Sequence, residues 1–141
     1  MTWLATVLDQ EMLETIRKVS IADRSTPDAA LPLKTGTDVA TELGGRYLLR
    51  YVLKDQVGTF MDGSTRSHWV TPTPYTSRDA TAFLALPAPN RLRRFVMVLN
   101  PAEIPRILGP RWVRLGQGIE YLLPNGFPTT ALVSGWELEL R

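Results

Sequence analysis

The chain beyond Gly45 is a succession of short apolar runs that prolines, glycines and polar residues interrupt, and this pattern restricts the fold more than any other feature. Runs of this length and composition are typical of strands. We predict strands over residues 46–53, 68–71, 93–99, 112–115, 119–123 and 130–140. The first, YLLRYVL, is apolar on both faces, which favours a central strand. In the last, alternation of Trp136, Leu138 and Leu140 with two acids indicates one buried face.

Helical periodicity is concentrated before Gly44. Apolar residues recur at helical spacing over residues 4–19, which predicts an amphipathic helix. A helical turn over residues 38–43 should end at Gly44 and Gly45, and Ser77 should begin a helix that runs to about Leu86. The predicted fold class is therefore α+β, with the N-terminal helix packed on a β-core. A chain of 141 residues suits one compact domain, divided here into a helical accessory segment (residues 1–44) and a core (residues 45–141).

Several classes of site are excluded or disfavoured by composition. The chain has no cysteine, which excludes disulfides and thiolate metal sites, and its one histidine, His68, excludes a multi-histidine metal site. A lone histidine also argues against a serine–histidine relay, and we expect it on the surface or half-buried. No apolar run reaches the roughly 18 residues of a membrane span, so we expect no membrane insertion. We predict no metal site.

The net charge of +2 is spread unevenly. Between Arg78 and Arg114 arginines far outnumber acids, which is compatible either with an anionic partner or with an ordinary solvated surface. Two charged residues stand out because they interrupt apolar strands. Glu120 follows a glycine-rich approach to a strand, and Arg50 lies inside the first run. A carboxylate or guanidinium in such a place must be solvated, paired with an opposite charge, or part of a functional site.

Four segments, in order, carry a resemblance to a known family. The sequences YLLRYVL, HWVTPTPYTSRDATAFLALP, NPAEIP and GQGIEYLLP resemble the ADP-ribosyltransferase-like C-terminal toxin domains of bacterial polymorphic effectors, of the Rhs and contact-dependent types. Members of this group show an arginine on the first core strand, a Thr-Pro block with a following helix that ends in LALP, and a glycine-rich turn into a Gly-x-Glu strand. The resemblance covers residues 46–141 and leaves the N-terminal helix outside.

The resemblance implies a split, strongly bent β-core with a cleft that binds NAD. Glu120 would be the catalytic glutamate, and Arg50 would contact the phosphate or ribose of the dinucleotide. We expect both side chains to project into one cleft from neighbouring central strands. Thr71 would support the nicotinamide ribose, and Tyr75 would stack near the nicotinamide. Thr73 and Gln117, which lie in the second and fourth segments, complete the expected NAD-binding set. The residue types fit the chemistry, because cleavage of the glycosidic bond of NAD develops positive charge on the ribose.

The expected activity is mono-ADP-ribosyl transfer from NAD to a protein or nucleic-acid target. Gly118 stands where many arginine-modifying members carry a second acid, so water is an alternative acceptor and a NAD glycohydrolase toxin an alternative activity. The expected setting is the bacterial cytoplasm, with delivery to the cytoplasm of a target cell and a cognate immunity protein as a further partner. Two other functions stay open: a metal-independent nuclease, and a non-catalytic interaction domain in which Arg50 and Glu120 form a structural pair.

Overall fold

Short strands dominate the structure, as the interrupted apolar runs predict. The structure is a computed structural model that describes residues 19–75, 77–86, 93–115 and 118–137. Its strands are β1 (Leu33–Lys34), β2 (Leu48–Val52), β3 (His68–Val70), β4 (Phe95–Leu99), β5 (Ile107–Trp112), β6 (Ile119–Leu123) and β7 (Leu132–Glu137). Its α-helices are α1 (Gly36–Glu42), α2 (Val57–Phe60) and α3 (Ser77–Phe83). The predicted α+β class is confirmed, whereas the amphipathic helix over residues 4–19 lies almost wholly outside the described residues.

The strands form two antiparallel sheets. The four-stranded sheet has the order β1-β5-β6-β3, and the three-stranded sheet has the order β2-β4-β7. The sheets meet where β2 approaches the end of β3. There the Leu49 N–H donates to the Thr71 carbonyl at 2.7 Å, and the Thr71 N–H donates to the Leu49 carbonyl at 3.0 Å. This pair of hydrogen bonds is an isolated antiparallel bridge that links the two sheets.

Two hydrophobic clusters explain why β2 is apolar on both faces. Leu48 and Val52 pack into a cluster between the sheets, with residues of β4 and β6. Leu49 and Tyr51 face the other way, into a cluster completed by α3. The prediction of a central strand is wrong, because β2 is the edge of its three-stranded sheet. Its second face is buried by a helix rather than by a further layer of sheet.

Strand β5 departs most from the prediction. It spans Ile107–Trp112, whereas the predicted strand covered residues 112–115. A Gly-Pro pair normally argues against a strand, but here Gly109 adopts a φ of 124° and donates its N–H to Pro32 at 3.0 Å. The pairing register with β6 shifts between Leu108 and Arg111 to absorb the pair.

The described part of the predicted accessory segment contributes elements to the body. Strand β1, which the sequence did not reveal, pairs with β5. Thr35 begins α1 with a capping box in which its side chain accepts from the Asp38 N–H and the Asp38 carboxylate accepts from the Thr35 N–H. The helix ends before Gly44 and Gly45, both at positive φ, as expected. No helix in the described ranges is long and apolar enough to cross a membrane.

Candidate functional site

A cavity of about 290 Å³ lies where the two sheets meet. It is lined by Leu49, Arg50, Tyr51, Trp69, Val70, Thr71, Leu84, Ala85, Leu86 and Glu120. Two charged side chains of opposite sign therefore share an otherwise largely apolar enclosure. Arg50 and Glu120 were expected on neighbouring central strands, and this is wrong, since β2 and β6 belong to different sheets. They nevertheless line one cavity, because the junction at Thr71 brings the sheets together.

Arg50 defines one end of the cavity and retains unused hydrogen-bonding capacity. Its Nη1 donates to the Trp69 carbonyl at 2.9 Å, while its buried Nε has no hydrogen-bond partner within the described structure. Burial lowers the pKa of Arg50, the positive charge of Arg93 lowers it further, and Glu120 opposes both effects. A guanidinium remains protonated in any protein. An unpaired donor on a largely buried cation is costly unless an anion meets it.

Glu120 defines the other end and is paired. Its Oε1 accepts a hydrogen bond from Arg111 Nε at 3.0 Å. Burial raises the pKa of Glu120, whereas the hydrogen bond and the charge of Arg111 lower it. Asp28 adds a smaller rise and Arg114 a smaller decrease. The net effect is a raised pKa of Glu120, and the interaction with Arg111 limits the rise that burial causes.

Arg111 is held by three groups. It stands directly opposite Glu120 in the β5–β6 pairing. Its Nη1 contacts Asp28 Oδ1 at 2.6 Å, and its guanidinium carbon lies 3.8 Å from the centroid of the Trp69 ring. The Arg111 side chain is 7% exposed, against 55% for Asp28, so the ion triad runs from the interior to the surface.

The backbone around Asp28 is fixed to the same strand. The Ala22 N–H donates to the Pro110 carbonyl at 3.0 Å, and the Trp112 N–H donates to the Ala22 carbonyl at 3.1 Å. Farther along, Arg114 Nε donates to the Arg24 carbonyl at 3.0 Å. The chain between Ala22 and Asp28 therefore runs along β5, which places the carboxylate of Asp28 against Arg111.

The remaining predicted residues divide between the cavity and the layer behind it. Thr71 is buried and lines the cavity, and its Oγ1 accepts from the Thr73 N–H at 3.2 Å. Thr73 is buried but does not line the cavity.

Tyr75 lies in the cluster under α3, where its ring stacks on Phe83 with centroids 5.4 Å apart. Its N–H and carbonyl both bind the Tyr51 hydroxyl, and burial raises the pKa of Tyr75. Gln117 lies outside the described residues.

Sequence reasoning missed Arg111, Asp28 and Trp69. The arginine-rich middle of the chain suggested a solvated or anion-binding surface, yet Arg93 and Arg111 are each only 6% exposed. A strand predicted over residues 107–112 would have placed Arg111 in an apolar run, the same signal that singled out Arg50. No signal in the sequence links Arg111 to Asp28, because 83 positions separate them.

His68 is buried rather than half-exposed as expected, and it adjoins Arg50. Its ring packs edge-on against Phe60 at 4.9 Å, and its Nε2 lies 2.7 Å from Ser64 Oγ. Burial, together with the charges of Arg50 and Arg66, lowers the pKa of His68 from 6.5 to about 4. The imidazole is therefore neutral at pH 7 and adds no charge to the Arg50 end.

Two further cavities lie on the His68 side of Arg50. One, of about 380 Å³, is lined by Arg50, Gln56, Phe60, Arg66, Ser67 and His68, so Arg50 borders both this cavity and the one that holds Glu120. The other, of about 780 Å³, is an open groove between the loops at residues 62–66 and 125–129 and contains neither Arg50 nor Glu120. Within the described ranges, no three histidine or acidic side chains cluster in a way that could hold a metal ion.

Comparison with known proteins supplies no relative. No family model matches the chain, and neither a curated protein nor a solved structure is significantly similar to it.

Proposed function

We propose that this chain cleaves the nicotinamide–ribose bond of NAD and transfers ADP-ribose to a protein or nucleic-acid acceptor, as a bacterial toxin of the ADP-ribosyltransferase type. One observation carries the proposal: a largely buried arginine with an unpaired Nε and a buried glutamate line the same cavity. The resemblance in four ordered segments supports it. The meeting of two antiparallel sheets at Leu49 and Thr71 is compatible with a split core of that type.

The anionic part of NAD fits the Arg50 end. The pyrophosphate would meet the free guanidinium edge and the adjoining cavity, where Arg66 adds a second cation. The cavity of about 290 Å³ is at the lower limit for small-molecule sites, so it suits the nicotinamide riboside part rather than the whole dinucleotide. NAD would thus extend across Arg50, with a phosphate on one side and the ribose on the other.

The ribose end requires the negative charge of Glu120. When the bond between the ribose C1′ and the nicotinamide nitrogen breaks, the electron pair leaves with nicotinamide and positive charge develops on the sugar. A carboxylate at the 2′-hydroxyl stabilises that charge and orients the ring. The acceptor then supplies an electron pair to C1′ and releases its proton. The apolar side chains of Leu49, Leu84 and Leu86 restrict the access of water to this step.

Release of nicotinamide by the purified chain, with and without a bacterial lysate, tests the proposal. Glu120→Gln preserves shape and removes charge, so its turnover should fall by at least about 100-fold, while NAD binding is retained. Glu103→Gln is the matched control, because Glu103 is exposed and distant in sequence from the cavity residues. Folded wild-type protein that releases no nicotinamide under either condition would contradict the proposal.

Labelled NAD separates transfer from hydrolysis. With NAD that carries the label in its adenosine part, a transferase attaches the label to a macromolecule in the lysate. A NAD glycohydrolase, the alternative activity with water as acceptor, leaves all the label in free ADP-ribose.

A second candidate function is favoured by a specific contact. The Arg111–Glu120 pair satisfies the glutamate without any ligand, which is what a non-catalytic interaction domain requires. In that function Glu120 is a structural partner, NAD remains intact, and Glu120→Gln changes only stability. The nicotinamide assay decides between the two.

A further inference from the structure

We infer that Arg111, held in place by Asp28, is a positioning residue that fixes the orientation and the negative charge of the Glu120 carboxylate. The inference rests on the proposed function, in which Glu120 must be ionised and directed at the ribose. It also makes the chain before residue 44 a part of the site rather than an accessory to it, because Asp28 belongs to that segment.

The contacts leave the Arg111 guanidinium one orientation. A planar group has two edges and two faces, and here Nε faces Glu120 at 3.0 Å, Nη1 faces Asp28 at 2.6 Å, and one face lies on Trp69. Only Oε1 of Glu120 is engaged by Arg111. Arg111 thus anchors one carboxylate oxygen, and in the proposed function the other, Oε2, would bind a ribose hydroxyl of NAD.

The charges around Glu120 act in opposite directions. Arg111 and Arg114 favour the carboxylate, whereas Asp28 favours the neutral acid, and burial does the same. Arg50, across the cavity, also interacts favourably with the carboxylate. Asp28 therefore has two effects on Glu120: it orients the arginine that supports the negative charge, and it opposes that charge directly. These effects can be separated by experiment, because they change different quantities.

Three variants distinguish positioning from a merely structural role. In Arg111→Gln, loss of the cation should raise the pKa of Glu120, so the acid limb of the pH–rate profile moves to higher pH. In Asp28→Asn, loss of an anion should move that limb to lower pH.

Arg111→Lys keeps the charge but loses the planar, two-donor geometry of the guanidinium. We therefore expect kcat to fall by about 100-fold, while KM and the acid limb stay close to those of the wild type. Asp62→Asn, an exposed acid outside the triad, is the control.

The ionisation of Glu120 is also measured without turnover, by ¹³C NMR of carboxyl-labelled glutamate with Glu120→Gln as the assignment standard. Shifts of the Glu120 pKa in opposite directions in Arg111→Gln and Asp28→Asn support the inference. Shifts in the same direction, or no shift in either variant, overturn it, even if the protein releases nicotinamide. A wild-type protein that releases none contradicts the proposed function instead, and with it the positioning role. Should Arg111→Gln fail to fold, Asp28→Asn still decides, because Asp28 is largely exposed and its loss uncovers no cavity.

Discussion

Arg50 lines the cavity, Arg111 pairs with Glu120 on the same cavity, and the hydrogen-bonding needs of the two arginines are met in different ways. Arg111 has two carboxylates and an aromatic face, whereas Arg50 has one backbone carbonyl and a buried Nε without a partner. Both lie on strands between apolar neighbours, so the local sequence does not distinguish them. Arg111 therefore completes its interactions within the fold, whereas Arg50 keeps a donor that, in the proposed function, would bind the anionic part of NAD.

The largest expected difference is in stability. Arg111→Ala leaves Glu120 buried without its partner, so the free energy of unfolding should fall by about 3–5 kcal/mol. Arg50→Ala removes a cation that is poorly satisfied and should cost under about 1 kcal/mol. Urea denaturation of both variants measures the difference. Equal losses of unfolding free energy would show that both arginines contribute equally to stability, and would contradict the distinction between them.

The pKa of the single histidine, His68, should be sensitive to Arg50 and not to Arg111. Because the pKa of His68 is lowered to about 4 from 6.5, the unfolded chain binds a proton in this range that the folded chain does not. Stability is therefore complete above pH 6.5 and is lost as the pH falls towards 4, by about 3 kcal/mol, and His68→Gln should abolish this loss.

The pKa of His68 should respond to the loss of Arg50 but not to the loss of Arg111. Arg50→Ala should raise the pKa of His68, because one of the two cations that repel the imidazolium is removed. Arg111→Gln should leave it unchanged. NMR of the imidazole ring measures both, and a displacement in Arg111→Gln would show that the two ends are not electrostatically separate.

Ligand binding should depend on one arginine more than on the other. In the inactive Glu120→Gln background, NAD at 100 times its Kd should stabilise the fold by about 2.7 kcal/mol. Adding Arg50→Ala should remove most of this stabilisation, since the phosphate contact is lost. Adding Arg111→Lys should retain it. Thermal denaturation with increasing NAD measures each, with Arg78→Ala, an exposed arginine, as the control.

The smallest expected effect concerns the residue between the arginines. Trp69→Leu removes the aromatic face beneath Arg111 and should cost about 1 kcal/mol, while the backbone carbonyl that binds Arg50 remains. NAD-dependent stabilisation should therefore persist in this variant. A complete loss of NAD binding in Trp69→Leu would mean that the indole contacts the ligand directly.

The Arg50 end was accessible to sequence analysis, because a charge inside YLLRYVL is conspicuous and the apolar run predicts its strand well. The run at residues 119–123 likewise identified both β6 and Glu120. The Arg111 end was not accessible, for two physical reasons. The Gly109–Pro110 pair conceals β5, and the contact with Asp28 depends on a pairing register that only the assembled sheet determines. Contacts between segments far apart in sequence depend on how the strands are arranged, and local sequence patterns do not predict that arrangement.

Trp69 touches both arginines, its carbonyl binding Arg50 and its indole lying against Arg111, while Arg50 also acts electrostatically on Glu120. The two ends are therefore thermodynamically linked, and linkage is reciprocal. An anion that neutralises Arg50 withdraws support from the negative charge of Glu120 and raises its affinity for a proton. Protonation of Glu120, by the same free energy, leaves Arg50 with more of its positive charge uncompensated and strengthens its hold on the anion. If the proposed function holds, the affinity of this cavity for the phosphate of NAD is thus tied to pH through a residue that the phosphate does not touch.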